Sequence, residues 1–104
     1  MGNVKATELE ITLDKVRHMR LDLNAMEDFE KATNKSFWSL KDLSATETKA
    51  LLWACLRHEE PTLLPGDIGK LVHVGNLTMV IGLLTQLMKE AMPEEKKKKS
   101  SPLA

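Results

Sequence analysis

Three histidines and one cysteine are the residues of this chain best suited to chemistry, beside several adjacent carboxylates. A zinc hydrolase carries two histidines one helical turn apart with a glutamate beside the first, so that both imidazoles reach one metal. His58-Glu59-Glu60 lacks the second histidine at that spacing. His18, His58 and His73 fall in separate predicted elements, so no metal site is expected, and His58 is placed to interact with a helix C-terminus. Cys55 sits on the apolar face of a predicted helix. Nothing near it in sequence would hold it as a thiolate, so it reads as a buried, inert thiol. A single cysteine also excludes an intrachain disulfide and a cysteine-cluster zinc site. Gly66-x-x-Gly69 is too short for a phosphate loop and has no Lys-Ser/Thr after it. Glu27/Asp28 and Glu59/Glu60 are neighbours in sequence rather than pairs facing across a cleft. No catalytic, cofactor-binding or metal-ligating residue is expected, and the chain reads as non-enzymatic.

The whole chain supports that reading. Its 104 residues make one domain, with too little length for a deep cleft and a lid. Lys+Arg and Asp+Glu number 15 each, so no basic excess drives phosphate contact and nucleic acid is not an expected partner. An apolar share of 42% with few Gly and Pro predicts that most of the chain folds. No basic-then-apolar leader opens the sequence, so a cytoplasmic protein is expected.

A flexible lead-in is expected over 1–7, a helical domain over 8–92 and a disordered charged tail over 93–104. Leu9, Ile11 and Leu13 alternate with Glu10, Thr12 and Asp14. Met19, Leu21 and Leu23 then alternate with His18, Arg20 and Asp22. Period two predicts a half-buried hairpin turning near Asp14-Lys15. A helix is the alternative, because Thr7-x-x-Glu10 is a capping box and Leu9, Leu13 and Val16 share a helical face. Asp22 or Asn24 caps the next helix, whose apolar residues Ala25, Met26, Phe29 and Ala32 come close to a helical stripe and which stops at Asn34, a residue that tolerates the left-handed conformation. Phe37, Trp38 and Leu40 form a one-turn apolar link. Ser44-Ala45-Thr46-Glu47 is a capping box opening a helix to about His58, with Leu51, Leu52, Cys55 and Leu56 inward and Trp53 on the flank. Pro61 ends it. A short helix over 65–73 turns Ile68, Leu71 and Val72 inward and is weakened by its glycines. Gly75 stops it, Asn76 caps the last helix, and that helix runs from Leu77 to about Met92, where Pro93 ends it.

Residues 71–88 carry no Asp, Glu, Lys or Arg, which brings a membrane span into question. His73, Gly75, Asn76, Thr78, Thr85 and Gln86 break the run, and no membrane partner is expected. In the last helix Leu77, Ile81, Leu84 and Met88 form one face and Met79, Val80, Leu83 and Leu87 an adjoining one. A surface helix ordinarily needs a narrower apolar stripe. Two accounts stand: a central core helix, or a surface for self-association or a client, to which the adaptable side chains of Met79, Met88 and Met92 are suited.

The segment Phe29-Glu30-Lys31-Ala32-Thr33-Asn34-Lys35-Ser36, followed by Ala50-Leu51-Leu52-Trp53-Ala54-Cys55-Leu56-Arg57-His58-Glu59-Glu60-Pro61, resembles the small tail assembly chaperones of long-tailed phages and gene-transfer-agent particles. Gly66-Asp67-Ile68-Gly69-Lys70-Leu71 is similar to a further segment of that family, and the resemblance covers about residues 8 to 92. Asn34 stands for the family's turn glycine, Cys55 for a small residue and Gly66 for a glutamate. The resemblance implies a mostly helical, self-assembling, non-catalytic protein. Such a protein keeps the tape-measure protein soluble while tail-tube subunits polymerise around it, and it is absent from the finished virion. Many members are made in two lengths by ribosomal frameshifting, and an A-rich run encoding Lys96–Lys99 would suit slippage.

The sequence therefore predicts a mainly α domain of about four helices with a short N-terminal hairpin. The expected function is that of a phage or prophage tail assembly chaperone in the host cytoplasm, with the tape-measure protein as partner, the tail-tube protein as a second contact and a homo-oligomer as the working form. The expected partner-binding residues are Leu77, Met79, Val80, Leu83, Leu84, Leu87 and Met88. A small virion subunit that oligomerises permanently is the alternative.

Overall fold

A computed structural model describes residues 7–91. Residues 1–6 and 92–104 lie outside the described residues, and with them the expected tail, its Lys96–Lys99 run and the Met92-Pro93 helix end. Two antiparallel strands, β1 (Thr7–Thr12) and β2 (Val16–Leu21), are followed by α1 (Leu23–Thr33), a single 3-10 turn (Phe37–Ser39), α2 (Ala45–Leu56), α3 (Pro65–Leu71) and α4 (Val74–Ala91). The domain is mainly helical, with the hairpin a notable share of it.

The hairpin prevails over the helical alternative for its first segment. Thr12 pairs with Val16, so Leu13-Asp14-Lys15 is the turn, and the register runs out to Thr7 opposite Leu21. Ile11, Met19 and Leu21 are buried. Leu23 does not continue the second strand: it is 75% exposed and opens α1. Asp22 is the reason, because its carboxylate accepts from the Ala25 N–H at 2.9 Å and turns the chain into the helix. A two-stranded ribbon is marginal on its own. This one packs on α2 and α4.

The turn segments follow local chemistry. Asn34 ends α1 with φ 58°, a left-handed position. Glu30 accepts from the Phe37 N–H at 2.8 Å, which starts the 3-10 turn. Ser44 and Glu47 cap α2 reciprocally, and Lys35 reaches Glu47 at 2.6 Å. Helix α2 is the centre of the molecule, with Leu51, Leu52, Cys55 and Leu56 fully enclosed. It ends at Leu56, short of His58.

The α3–α4 junction departs from the sequence reading. Helix α3 stops at Leu71, short of His73, and α4 starts at Val74 rather than Leu77. Gly75 and Asn76 are part of the first turn of α4 and not a break before it. His73 takes the capping role: its Nδ1 accepts from the Gly75 N–H at 3.1 Å, while Asn76 Oδ1 accepts from the His73 N–H at 2.8 Å. Asn76 also donates from Nδ2 to the Leu71 carbonyl at 3.0 Å, tying the end of α3 to the start of α4. Asn76→Ala removes both bonds and is expected to cost about 1–2 kcal/mol. The denaturant midpoint should fall at an unchanged slope.

Candidate functional site

The residues with chemical potential serve the scaffold. His58 donates from Nε2 to the His18 carbonyl at 2.7 Å. Glu59 accepts from the His18 N–H at 3.0 Å and from His18 Nδ1 at 2.7 Å. Glu60 meets Arg17 Nη1 at 2.9 Å, and Asp14 grips the same guanidinium through both of its oxygens. The His58-Glu59-Glu60 segment is therefore a clamp on the outer edge of β2. His18 and His58 are brought together across the fold rather than scattered. Arg17 is 5% exposed on the inner face of the strand. The alternation that places Met19 and Leu21 inward also places Arg17 there, which is the signal that could have found it. Asp14 is held below the usual carboxylate range first by its hydrogen bond from Arg17.

This clamp is pH-sensitive. Its hydrogen bond to Glu59 raises the His18 pKa, helped by the charges of Glu59 and Glu10. The Glu59 pKa is lowered, first by the backbone N–H of His18. The His18 contribution is full below its unfolded value of about 6.5 and fades as pH rises through its folded value. The Glu59 contribution is full above its unfolded value of about 4.3 and fades as pH falls through its folded value. Both act together between about pH 4.3 and 6.5. Urea titrations should give a higher midpoint at pH 6 than at pH 8, and His18→Gln should narrow that difference. An equal difference in the variant would contradict the assignment.

Among the described residues no group of three or more His, Cys, Asp or Glu side chains converges as a metal site would require. Cys55 is enclosed, and burial first, then Asp22, pushes its thiol pKa up and away from a reactive thiolate. Trp53 donates from Nε1 to the Leu63 carbonyl at 2.7 Å and carries Arg57 over its ring, while Arg57 reaches Asp28 at 3.2 Å. The residues that carry the family resemblance thus hold the domain together.

Helix α4 divides the expected surface. Val80, Leu84 and Leu87 are fully buried and belong to the domain's own core. Leu83 and Met88 are partly buried against that core. Leu77 and Met79 remain exposed, at 38% and 39%. At 100° per residue Leu77, Ile81 and Met88 fall on one flank and Met79 and Leu83 on the other. The first flank borders a hollow at its Leu77 end and a groove along Ile81, Thr85 and Met88. At one end Leu77 faces Ala45, Lys49, Ile68 and Val72 across the start of α2 and the end of α3. Farther along, Ile81, Thr85 and Met88 face Leu40 and Leu43. At the far end Met88 and Lys89 face Phe37 and Trp38. From Leu77 to Met88 the helix rises about 16 Å, near three turns of an apposed helix. Thr48 lines the first end, and its buried hydroxyl has no hydrogen-bond partner among the described residues. Leu40, Leu43 and Ile81 were absent from the expected surface. Their signal is the apolar residue every few positions between Phe37 and Leu43, which only the tertiary fold places beside α4.

No helix among the described residues is by itself long and apolar enough to cross a membrane; α3 and α4 reach that mark only together, bent by 120° at their junction. No protein family, no curated protein and no solved structure matches this chain.

Proposed function

We propose that the protein is a tail assembly chaperone of a phage, a prophage or a related particle, which binds the tape-measure protein reversibly and without catalysis. The observation that carries this reading is the apolar flank of α4, where Ile81 and Met88 face Leu40 and Leu43 across a groove and Leu77 borders a separate hollow with Ile68 and Val72. A tape-measure protein is a long helical chain with exposed apolar stripes, and a helix laid in an apolar groove covers such a stripe. The resemblance over Phe29–Ser36 and Ala50–Pro61 supplies the biological setting. In that setting the chain works in the bacterial host cytoplasm as a homo-oligomer, meets the tail-tube protein as assembly proceeds, and leaves before the virion is complete. A longer form made by frameshifting near Lys96–Lys99 belongs to the same proposal and requires a slippery heptamer with an overlapping downstream frame.

Co-expression with the long helical protein encoded downstream tests the reading. The expected result is recovery of that protein in the soluble fraction, bound to this chain. A well-folded chain that leaves the client insoluble and persists in purified particles would instead identify a virion subunit.

A further inference from the structure

The two edges of the hairpin differ. On β2 the His18 N–H donates to Glu59 and the His18 carbonyl accepts from His58. Both groups therefore point away from β1, so His18 and Glu10 face each other without exchanging ladder bonds. Glu8 and Thr12 share the parity of Glu10, and the backbone N–H and C=O groups of all three point out from the opposite edge. None of these backbone groups has a hydrogen-bond partner among the described residues. Strand β1 packs only on β2 and α4, while α2 packs on β2. Packed helices stand about 8–10 Å apart and paired strands about 4.8 Å, so α4 extends past β1 on its free side. Leu77 faces Ala45 and Lys49 of α2, which leaves the opposite flank of α4, with Met79 and Leu83, overhanging the free edge. Met79 is 39% exposed and Leu83 half-buried.

We propose that the free edge of β1 takes up an extended segment of a partner protein in which apolar residues alternate with Lys or Arg. A row of unpaired backbone donors and acceptors calls for another strand, because main chain is what bonds to it. A third strand also suits a hairpin that is marginal with two. Inward residues of the added strand lie beneath Met79 and Leu83 and beside the half-buried Leu9, which calls for apolar side chains. Outward residues lie beside Glu8, Glu10 and Thr12, where cross-strand pairing favours a cation and penalises Asp or Glu. The cations that meet these acids, Arg20 and His18, stand on β2 and so on the far side from the incoming strand. The Glu10 side chain remains 69% exposed. A second copy does not fit through its own β1: strands about 4.8 Å apart would bring two overhanging α4 helices too close to pack, since helices need about 8 Å. The edge lies on the opposite side of α4 from Ile81 and Met88, and the inference goes beyond the client reading of that flank.

The test uses the full chain and three labelled synthetic peptides: valine alternating with Lys, valine alternating with Glu, and the Lys peptide with a central proline. Fluorescence anisotropy should show the Lys peptide binding at least about tenfold more tightly than the Glu peptide, and the proline peptide not binding. Glu10→Pro removes an outward N–H and no hairpin bond, so the thermal melt should stay near the parent while the Lys peptide weakens about tenfold or more. Glu10→Gln keeps that N–H and should retain strand binding with a smaller preference for Lys over Glu. If Glu10→Pro lowers the melt, the proline peptide asks the same question from the ligand's side. Ile81→Asp should leave peptide binding unchanged, so failure here is distinct from failure of the client reading. Equal binding of the Lys and Glu peptides, binding of none, or undiminished binding of the proline peptide would overturn the proposal. Equal losses in Glu10→Gln and Glu10→Pro would reduce the site to a charge contact and overturn strand addition. A dimer in sedimentation that Glu10→Pro dissolves would assign the edge to a second copy and overturn it likewise.

Discussion

Leu87→Asp is expected to unfold the domain, whereas Ile81→Asp leaves it folded and blocks binding of the client. The two residues lie on the same helix less than two turns apart, but their surroundings differ. Leu87 is fully buried in the apolar core, and its replacement by Asp puts a charge out of reach of water. Lost burial and desolvation together exceed about 4–5 kcal/mol, a large part of the 5–15 kcal/mol that a domain of ordinary stability possesses. Ile81 is half-buried at the groove, where an aspartate can turn its carboxylate into water. Circular dichroism should show Leu87→Asp without a cooperative melt and Ile81→Asp melting close to the parent. Loss of fold in both variants would mean that the groove is part of the core.

Phe29→Ala is expected to cost about 3–5 kcal/mol. Phe29 is fully buried on α1, and its ring meets Phe37 edge-to-face at 6.1 Å between centroids. Phe37 in turn meets Trp38 at 5.3 Å in the same manner. The substitution leaves a cavity where α1 packs on α2 and removes the ring against which the 3-10 turn is set. Its effect should therefore reach the groove wall as well as global stability. Urea unfolding should show a midpoint shift of that size, and amide exchange should rise around Phe37–Leu40. A cost below about 1 kcal/mol would mean that neighbouring side chains collapse into the space.

What could be read from sequence was whatever depends on residues close together in the chain. The Ser44–Glu47 box, the Asp22 cap and the Asn34 stop are interactions within a single helical turn, and their residue types name them directly. Alternation in Leu9–Ile11 and Met19–Leu21 is equally local, so the hairpin could be anticipated. The α3–α4 junction was misplaced because histidine is an uncommon cap. His73 takes that role only because Asn76 completes the reciprocal bond and holds Leu71 as well. Helix α4 could not be divided because apolar residues run nearly all round it. Only the positions of the hairpin and α2 decide that Val80, Leu84 and Leu87 face inward. The clamp of His58, Glu59 and Glu60 on β2 joins residues some forty positions apart, and no local pattern marks such a contact. The groove was half legible: its α4 flank was visible as excess apolar surface, but its other wall comes from Leu40 and Leu43.

On the proposed function, the tape-measure protein is held against the Ile81–Met88 flank of α4. Site-directed photocrosslinking during co-expression tests it most directly, with a benzophenone side chain placed at position 81 and, as control, at the exposed position 27 on α1. A crosslink to the tape-measure protein is expected from position 81 and none from position 27. A crosslink from position 27 alone, or from neither position while the two proteins still co-purify, would contradict it.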